Sequence, residues 1–269
     1  MKGLLIAAAT LAVASSAFAA DMPMKAPAAV VATAPTWTGW YIGINGGGVW
    51  GNTKPSVTDI GPDGFFATAN VPAVVANGSQ NFHNSGGLIG AQIGYLYQTG
   101  PVILGLEVGA DWMGLKGSTS NGPTVYPVTP PSTFSWNLEG KSDFLATFLG
   151  RVGYNMGAWY PYVTGGLAVA NFKYNATYTD TFYPSVSTVS LSQTKAGYAL
   201  GGGVEWRVAP HWLLRGEYLY MSFDKVSGNG QIACTSGVGN CAIGGNSTTF
   251  AYNVRFTENV ARIALGYQW

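Results

Sequence analysis

The residues best suited to chemistry in this 269-residue chain are four carboxylates, Glu107, Asp111, Glu205 and Glu217, and four guanidinium groups, Arg151, Arg207, Arg215 and Arg262. Their local spacing is even: Glu107 and Asp111 are four apart, Glu205 and Arg207 two, Arg215 and Glu217 two. On an extended strand, even spacing puts side chains on one face. Paired carboxylates can work as general acid and base. Equal numbers of guanidinium groups on the same face instead hold them ionised and occupied, because the planar fork of arginine fits a carboxylate. The expected chemistry is therefore an ion-pair network, not catalysis. Such a network specifies register and closure more than it stabilises, since desolvation offsets much of the Coulomb attraction. His83 and His211 fall at opposite ends of the elements that carry them, against a zinc cluster or a Ser-His-Asp triad that uses both. Cys234 and Cys241 lie seven apart, and an oxidising compartment favours a disulfide over a metal site. Gly43-Ile44-Asn45-Gly46-Gly47-Gly48 evokes a nucleotide loop only superficially, because no helix follows. No catalytic residue, metal or cofactor is expected.

Such charges need elements that shield them, and the alternation around them supplies these. In Ala261–Trp269, Ala261, Ile263, Leu265, Tyr267 and Trp269 share one face, and Arg262, Ala264, Gly266 and Gln268 the other. This two-residue period, apolar towards lipid and polar towards a lumen, is the pattern of a transmembrane β-barrel strand. It recurs in about Trp37–Trp50, Gly87–Gln98, Val102–Leu115, Lys141–Met156, Trp159–Tyr174, Lys195–Ala209 and Trp212–Lys225. The count predicts a closed, antiparallel, up-and-down all-β barrel of eight strands, with ten as the alternative if Phe65–Val75 or Tyr178–Leu191 extend strands above the membrane. Tight turns are expected at Thr99-Gly100-Pro101, Gly157-Ala158 and Pro210-His211. Four polar loops, about Gly51–Asn81, Lys116–Gly140, Asn175–Thr194 and Val226–Phe250, are expected on the extracellular side. The aromatics fall into two belts. Trp37, Trp40, Tyr95, Tyr97, Tyr154, Trp159, Tyr160, Trp206, Trp212, Tyr267 and Trp269 mark the periplasmic rim; Trp50, Trp112, Tyr174, Tyr198, Tyr218, Tyr220 and Tyr252 mark the outer one. Lumen parity also collects glycines, among them Gly43, Gly94, Gly105, Gly153 and Gly203, which make room for large neighbours.

The chain start and composition agree. Met1-Lys2, the apolar run Leu4–Val13 and Ala17-Phe18-Ala19 read as a signal peptide over residues 1–19, and the Ala/Pro-rich stretch 20–36 as a flexible periplasmic lead-in to a barrel over 37–269. No later run of about 18 apolar residues occurs, so a closed barrel is the structure left for crossing a membrane. Charged residues make up 9% of the chain, against about 25% in ordinary soluble domains. Losing Lys2 with the leader takes the formal charge from +1 to zero, so nucleic-acid binding has no electrostatic basis. Outward cations near the rim, such as Lys173 and Arg255, are placed to meet lipopolysaccharide phosphates.

The Ala-Asp-Met-Pro lead-in, Trp37-Thr38-Gly39-Trp40-Tyr41-Ile42-Gly43 with Gly46-Gly47-Gly48, the Gly86-Gly87 to Tyr95 segment and the terminal Ala261–Trp269 strand resemble the small outer-membrane immunogenic proteins of alphaproteobacteria. These are porin-like relatives of the OmpA-type eight-strand barrel. The resemblance covers nearly the whole mature chain. It implies a surface antigen that supports envelope integrity, with Tyr267 and Trp269 as an aromatic C-terminal signal read by the barrel-assembly machinery, and loops that meet host or phage ligands. Many relatives end in Phe where this chain ends in Trp. Some members of that family bind haem, and no motif here carries that over. A structural and surface-interaction barrel is the expected function; a small-solute channel is the alternative.

Overall fold

The computed structural model describes residues 36–59, 65–182, 184–234 and 247–269. The expected signal peptide, and the lead-in up to residue 35, lie outside the described residues. Nine strands follow in chain order: β1 Gly39–Asp59, β2 Phe82–Thr99, β3 Val102–Val125, β4 Thr133–Tyr154, β5 Trp159–Asp180, β6 Ser185–Ala209, β7 Trp212–Phe223, β8 Val226–Ala233 and β9 Ser247–Gln268. Consecutive strands pair antiparallel from β1 to β7, β7 pairs β9, and β9 closes on β1 from Asp59↔Phe250 to Tyr41↔Gln268. The seventh and eighth strands occupy one place in the ring. Ser222 pairs with Thr257 and Val226 with Val254, so β8 resumes on β9 where β7 stops. The barrel thus has eight positions around its wall. Gly100 at φ +58° and Gly157 at φ +93° make two of the expected tight turns, in a region of backbone space that side chains disfavour.

Parity sorts most positions in the lower halves of the strands as expected. Leu106, Ile89 and Ile263 are 72%, 69% and 66% exposed, and their strand neighbours Glu107 and Arg262 are buried. An all-apolar exterior of this kind belongs in hydrocarbon, because leaving it in water would forgo about 25 cal/mol for each Å². From Trp40 to Trp50 the strand climbs about 33 Å, and a tilt of about 40° makes that about 25 Å of height. That matches the apolar band of an outer-membrane barrel.

Above this band the strands run on. Parts of the segments expected as loops are strand: β1 continues to Asp59, β3 to Val125, β5 to Asp180, and β6 starts at Ser185. The Phe65–Val75 stretch is not an added strand; α1, Val71–Gly78 with a proline in its first turn, begins within it. This upper storey has its own core, including Phe134, Trp136, Phe172, Tyr174, Tyr178, Phe250, Tyr252 and Phe256. Tyr174 and Tyr252 therefore do not belong to the outer lipid-facing belt; they point into the barrel. Trp37 and Tyr160 leave the periplasmic belt for the same reason, being 1% and 0% exposed inside the lower mouth.

One part of the wall is built differently. The β6–β7 ladder ends near Gly197↔Phe223, and the Asp224 amide donates to the Ala196 carbonyl at 3.0 Å. Beyond that point, β6 and β8 run side by side with no backbone pairing among the described residues. The Gln193 side chain bridges them, donating to the Ser227 carbonyl at 2.7 Å and accepting from the Ser227 amide at 3.3 Å.

Candidate functional site

The lower lumen is filled by the predicted charges, and Glu107 is their hub. Carried inward by β3, it accepts hydrogen bonds from Arg151 of β4, from Arg215 of β7 at 2.5 Å and from Tyr41 of β1 at 2.5 Å, with Arg262 of β9 at 3.4 Å. Arg151 also donates to Glu205 at 3.0 Å and to the Tyr41 hydroxyl at 2.8 Å. Arg262 donates to Glu217 at 2.8 Å and to Asp111 at 3.3 Å, and Tyr162 of β5 donates to the other Glu217 oxygen at 2.6 Å. Every ionic side chain of this network is 3% exposed or less. Glycines provide the space. A Cβ at Gly94 would overlap the Tyr41 hydroxyl, and one at Gly105 would come within 2.6 Å of the Arg151 side chain. A void beside Tyr41, Glu205 and Arg215 measures about 10 Å³, about the room one water needs.

Seven of the eight predicted residues come together; Arg207 does not. It lies at the lower mouth, stacked over Trp37 at 4.4 Å and donating to Gln268 at 2.8 Å and to the Thr36 carbonyl at 2.9 Å. Position explains this: Arg207 is two residues nearer than Glu205 to the turn after β6. The network therefore holds three arginines against four carboxylates. With Trp37, Tyr160 and Gln268, Arg207 forms a separate lower seal, in which Trp37 meets Tyr160 edge-on at 4.7 Å.

A third closure lies above the band. Helix α1 packs on β1 and β4, three places apart in the ring, and so reaches across the upper mouth. Val74 is fully buried, and its carbonyl accepts a hydrogen bond from the Trp136 indole at 3.1 Å. Asn121 holds the helix end through the Asn77 carbonyl at 2.9 Å.

Sequence reasoning missed several lumen groups. Tyr41 falls on the inward face of the first strand by parity, without any sign of its polar partners, and Tyr162 carried no assignment. Asn45 and Gln92, joined at 2.7 Å, were legible as inward polar residues only from their strands. Glu258 gave no signal, because its neighbours Thr257 and Asn259 are polar as well. It is 1% exposed, and neither carboxyl oxygen meets a hydrogen-bond partner among the described residues. Cys234 is held in a disulfide, whereas Cys241 lies outside the described residues. Tyr267 and Trp269 point outward at the lower rim, and the Trp269 amide donates to the Trp40 carbonyl at 3.0 Å.

Comparison with known proteins places this architecture among relatives. Residues 5–256 match the family model described as the outer membrane protein beta-barrel domain. The chain is 32% identical over 231 residues to the 31 kDa outer-membrane immunogenic protein of Brucella melitensis, covering 84% of this chain and 88% of that one. It is 27% identical to the 25 kDa outer-membrane immunogenic protein of Brucella abortus, covering 81% and 83%. Among solved structures, the outer membrane protein OprG from Pseudomonas aeruginosa aligns with a TM-score of 0.44 and 18% identity, over 86% of this chain and 96% of that one.

Proposed function

This chain belongs to the outer membrane protein beta-barrel domain family, and from that premise we propose that it is a plugged, non-conducting barrel that supports the envelope and presents its upper storey to surface partners. It resides in the outer membrane, as its relatives do. The observation that carries the reading is the ionic lumen. Three arginines and four carboxylates from five strands close on one another at the level of the lipid. A conducting path would have to part these buried charges from their partners, and an uncompensated buried charge costs several kcal/mol. The seals above and below act in the same sense.

The same contacts speak against catalysis. A general acid or base must be free to exchange a proton with substrate, and the Glu107 carboxylate is already committed to three guanidinium groups and a phenol. The aromatic end formed by Tyr267 and Trp269 suits recognition by the barrel-assembly machinery. Host or phage ligands would meet the upper storey.

Planar-bilayer recording of the purified protein tests the plug. The expected trace is silent; steady, reproducible current steps would replace the plugged barrel with a small-solute channel.

A further inference from the structure

Six cations stand in two rows just above the upper aromatic belt, and only one row is free. Lys54 and Lys116 each lie four residues beyond an outward belt tryptophan, Trp50 and Trp112. Four residues of tilted strand amount to a rise of about 10 Å, which reaches the headgroup layer that brings a bilayer from about 30 Å to 40–45 Å. On one side of the barrel Lys116 pairs in register with Lys141, and Lys141 with Lys173. There, Lys141 meets Glu139 at 2.7 Å and Lys173 meets Asp143 at 2.5 Å, so the row is largely neutralised by its own carboxylates.

The other row is Lys54, Arg255 and Lys225. Lys54 and Arg255 are register partners on β1 and β9, and Lys225 sits at the β7–β8 break beside Arg255. All three are exposed, and among the described residues none has an ion pair or a side-chain hydrogen bond. Next to them the end of the β6–β7 ladder leaves a cleft of about 580 Å³, lined by Tyr198 of the aromatic belt, Ser222, Asp224, Lys225 and Arg255. That volume falls within the range of about 300–1,000 Å³ usual for small-molecule sites. The cleft opens beside the lipid-facing Tyr198, so it receives a headgroup whose tails stay in the bilayer.

The geometry points to Lys54, Lys225 and Arg255, with the cleft beside them, as a docking site for the phosphates of a lipopolysaccharide headgroup in the outer leaflet. This rests on the outer-membrane reading above and narrows it. The Arg255 side of the barrel binds; the Lys173 side, expected from sequence to serve as well, is occupied by its own acids.

The test uses full-length protein folded in nonionic detergent, with lipid A carrying two phosphates as the probe and native mass spectrometry as the readout. Each cation near an anionic lipid surface contributes about fivefold in affinity. The variant K54Q/K225Q/R255Q should therefore lose about tenfold or more, whereas K116Q/K141Q/K173Q should stay within about twofold of wild type. Dephosphorylated lipid A with the same acyl chains should bind wild type no better than it binds the first variant. Salt at about 1 M, where the screening length is about 3 Å, should release the phosphorylated lipid. Wild-type affinity in the first variant, or an equal loss in the second, would overturn the assignment. So would displacement of the lipid by inorganic phosphate where chloride at the same ionic strength leaves it bound, which would make free phosphate the ligand. Should a variant fail to fold, the wild-type comparison of phosphorylated and dephosphorylated lipid decides alone. Heat-modifiable gel migration shows whether the barrel itself is intact, so failure of the site and failure of the outer-membrane reading are distinguishable.

Discussion

The two arginine environments separate at single positions. Removing the Glu107 carboxylate takes from Arg215 its short ion pair and from Arg151 one of two, inside a buried lumen, and breaking one member of a buried ion cluster costs about 3–5 kcal/mol. Glu107→Ala should lower stability by that amount in urea unfolding followed by tryptophan fluorescence. Arg207→Ala, at a partly exposed position, should cost about 1 kcal/mol or less beyond its lost stacking on Trp37. Equal effects would mean that the network has no hub. Glu258 predicts the opposite sign. A carboxyl buried without a hydrogen-bond partner costs about 1–3 kcal/mol, so Glu258→Met, similar in length and level with Met221 across the β7–β9 ladder, should raise the unfolding midpoint. A fall would show that this carboxyl contributes to folding.

At the scale of elements, the lower and upper halves of each strand obey different rules, and that decided what could be read from sequence. In the lower half, hydrocarbon lies outside and charge inside, so Leu106 beside Glu107 and Ile263 beside Arg262 announce their faces. On β5, Val163 and Leu167 are likewise exposed between the buried Tyr162 and Ala168. In the upper half, water lies outside and an aromatic core inside. Segments such as Asn175–Asp180 and Ser185–Thr194 alternate polar with aromatic or aliphatic residues at low contrast, and their Ser, Thr and Asn content imitates loops. Tyr174 and Tyr252 were thus assigned to lipid when they are core, and Glu258 escaped notice between two polar neighbours. Burial of this core has a measurable consequence. It pushes the phenols of Tyr174, Tyr178 and Tyr252 above their usual 10.0, with Tyr126 and Asp180 adding to the shift at Tyr178. A phenol that keeps its proton longer when folded stabilises the barrel fully below its unfolded value, and that contribution is lost as pH rises from about 10 through the folded value. Alkaline titration followed by tyrosinate absorbance should show these phenols ionising late, together with loss of the upper storey. Smooth ionisation near pH 10 would contradict their burial.

Over the whole molecule, closure is the defining property. The β1–β9 ladder continues from the lower rim to the top of the upper storey, so the barrel has no free edge within the lipid. Unheated protein should therefore run as a compact, fast band on a denaturing gel and shift to its unfolded position on boiling; a single band under both conditions would count against a barrel. Seals at three heights, Trp37 with Arg207, the Glu107 cluster and α1 against Trp136, make the interior a stack of separate stoppers. Loosening the helix alone should leave the bilayer trace silent.

The division of the upper storey into an inner aromatic set and an outer hydrophilic set also bears on how such a surface can change over generations. Thr188, Ser190, Ser192 and Thr194 all face solvent from β6, and exchanges at sites of this kind shift stability by only about 0.5 kcal/mol either way. An antibody would read that half of the pattern, and the fold depends on the other half. The protein can therefore redraw its epitopes one residue at a time, escaping recognition while its architecture stays put.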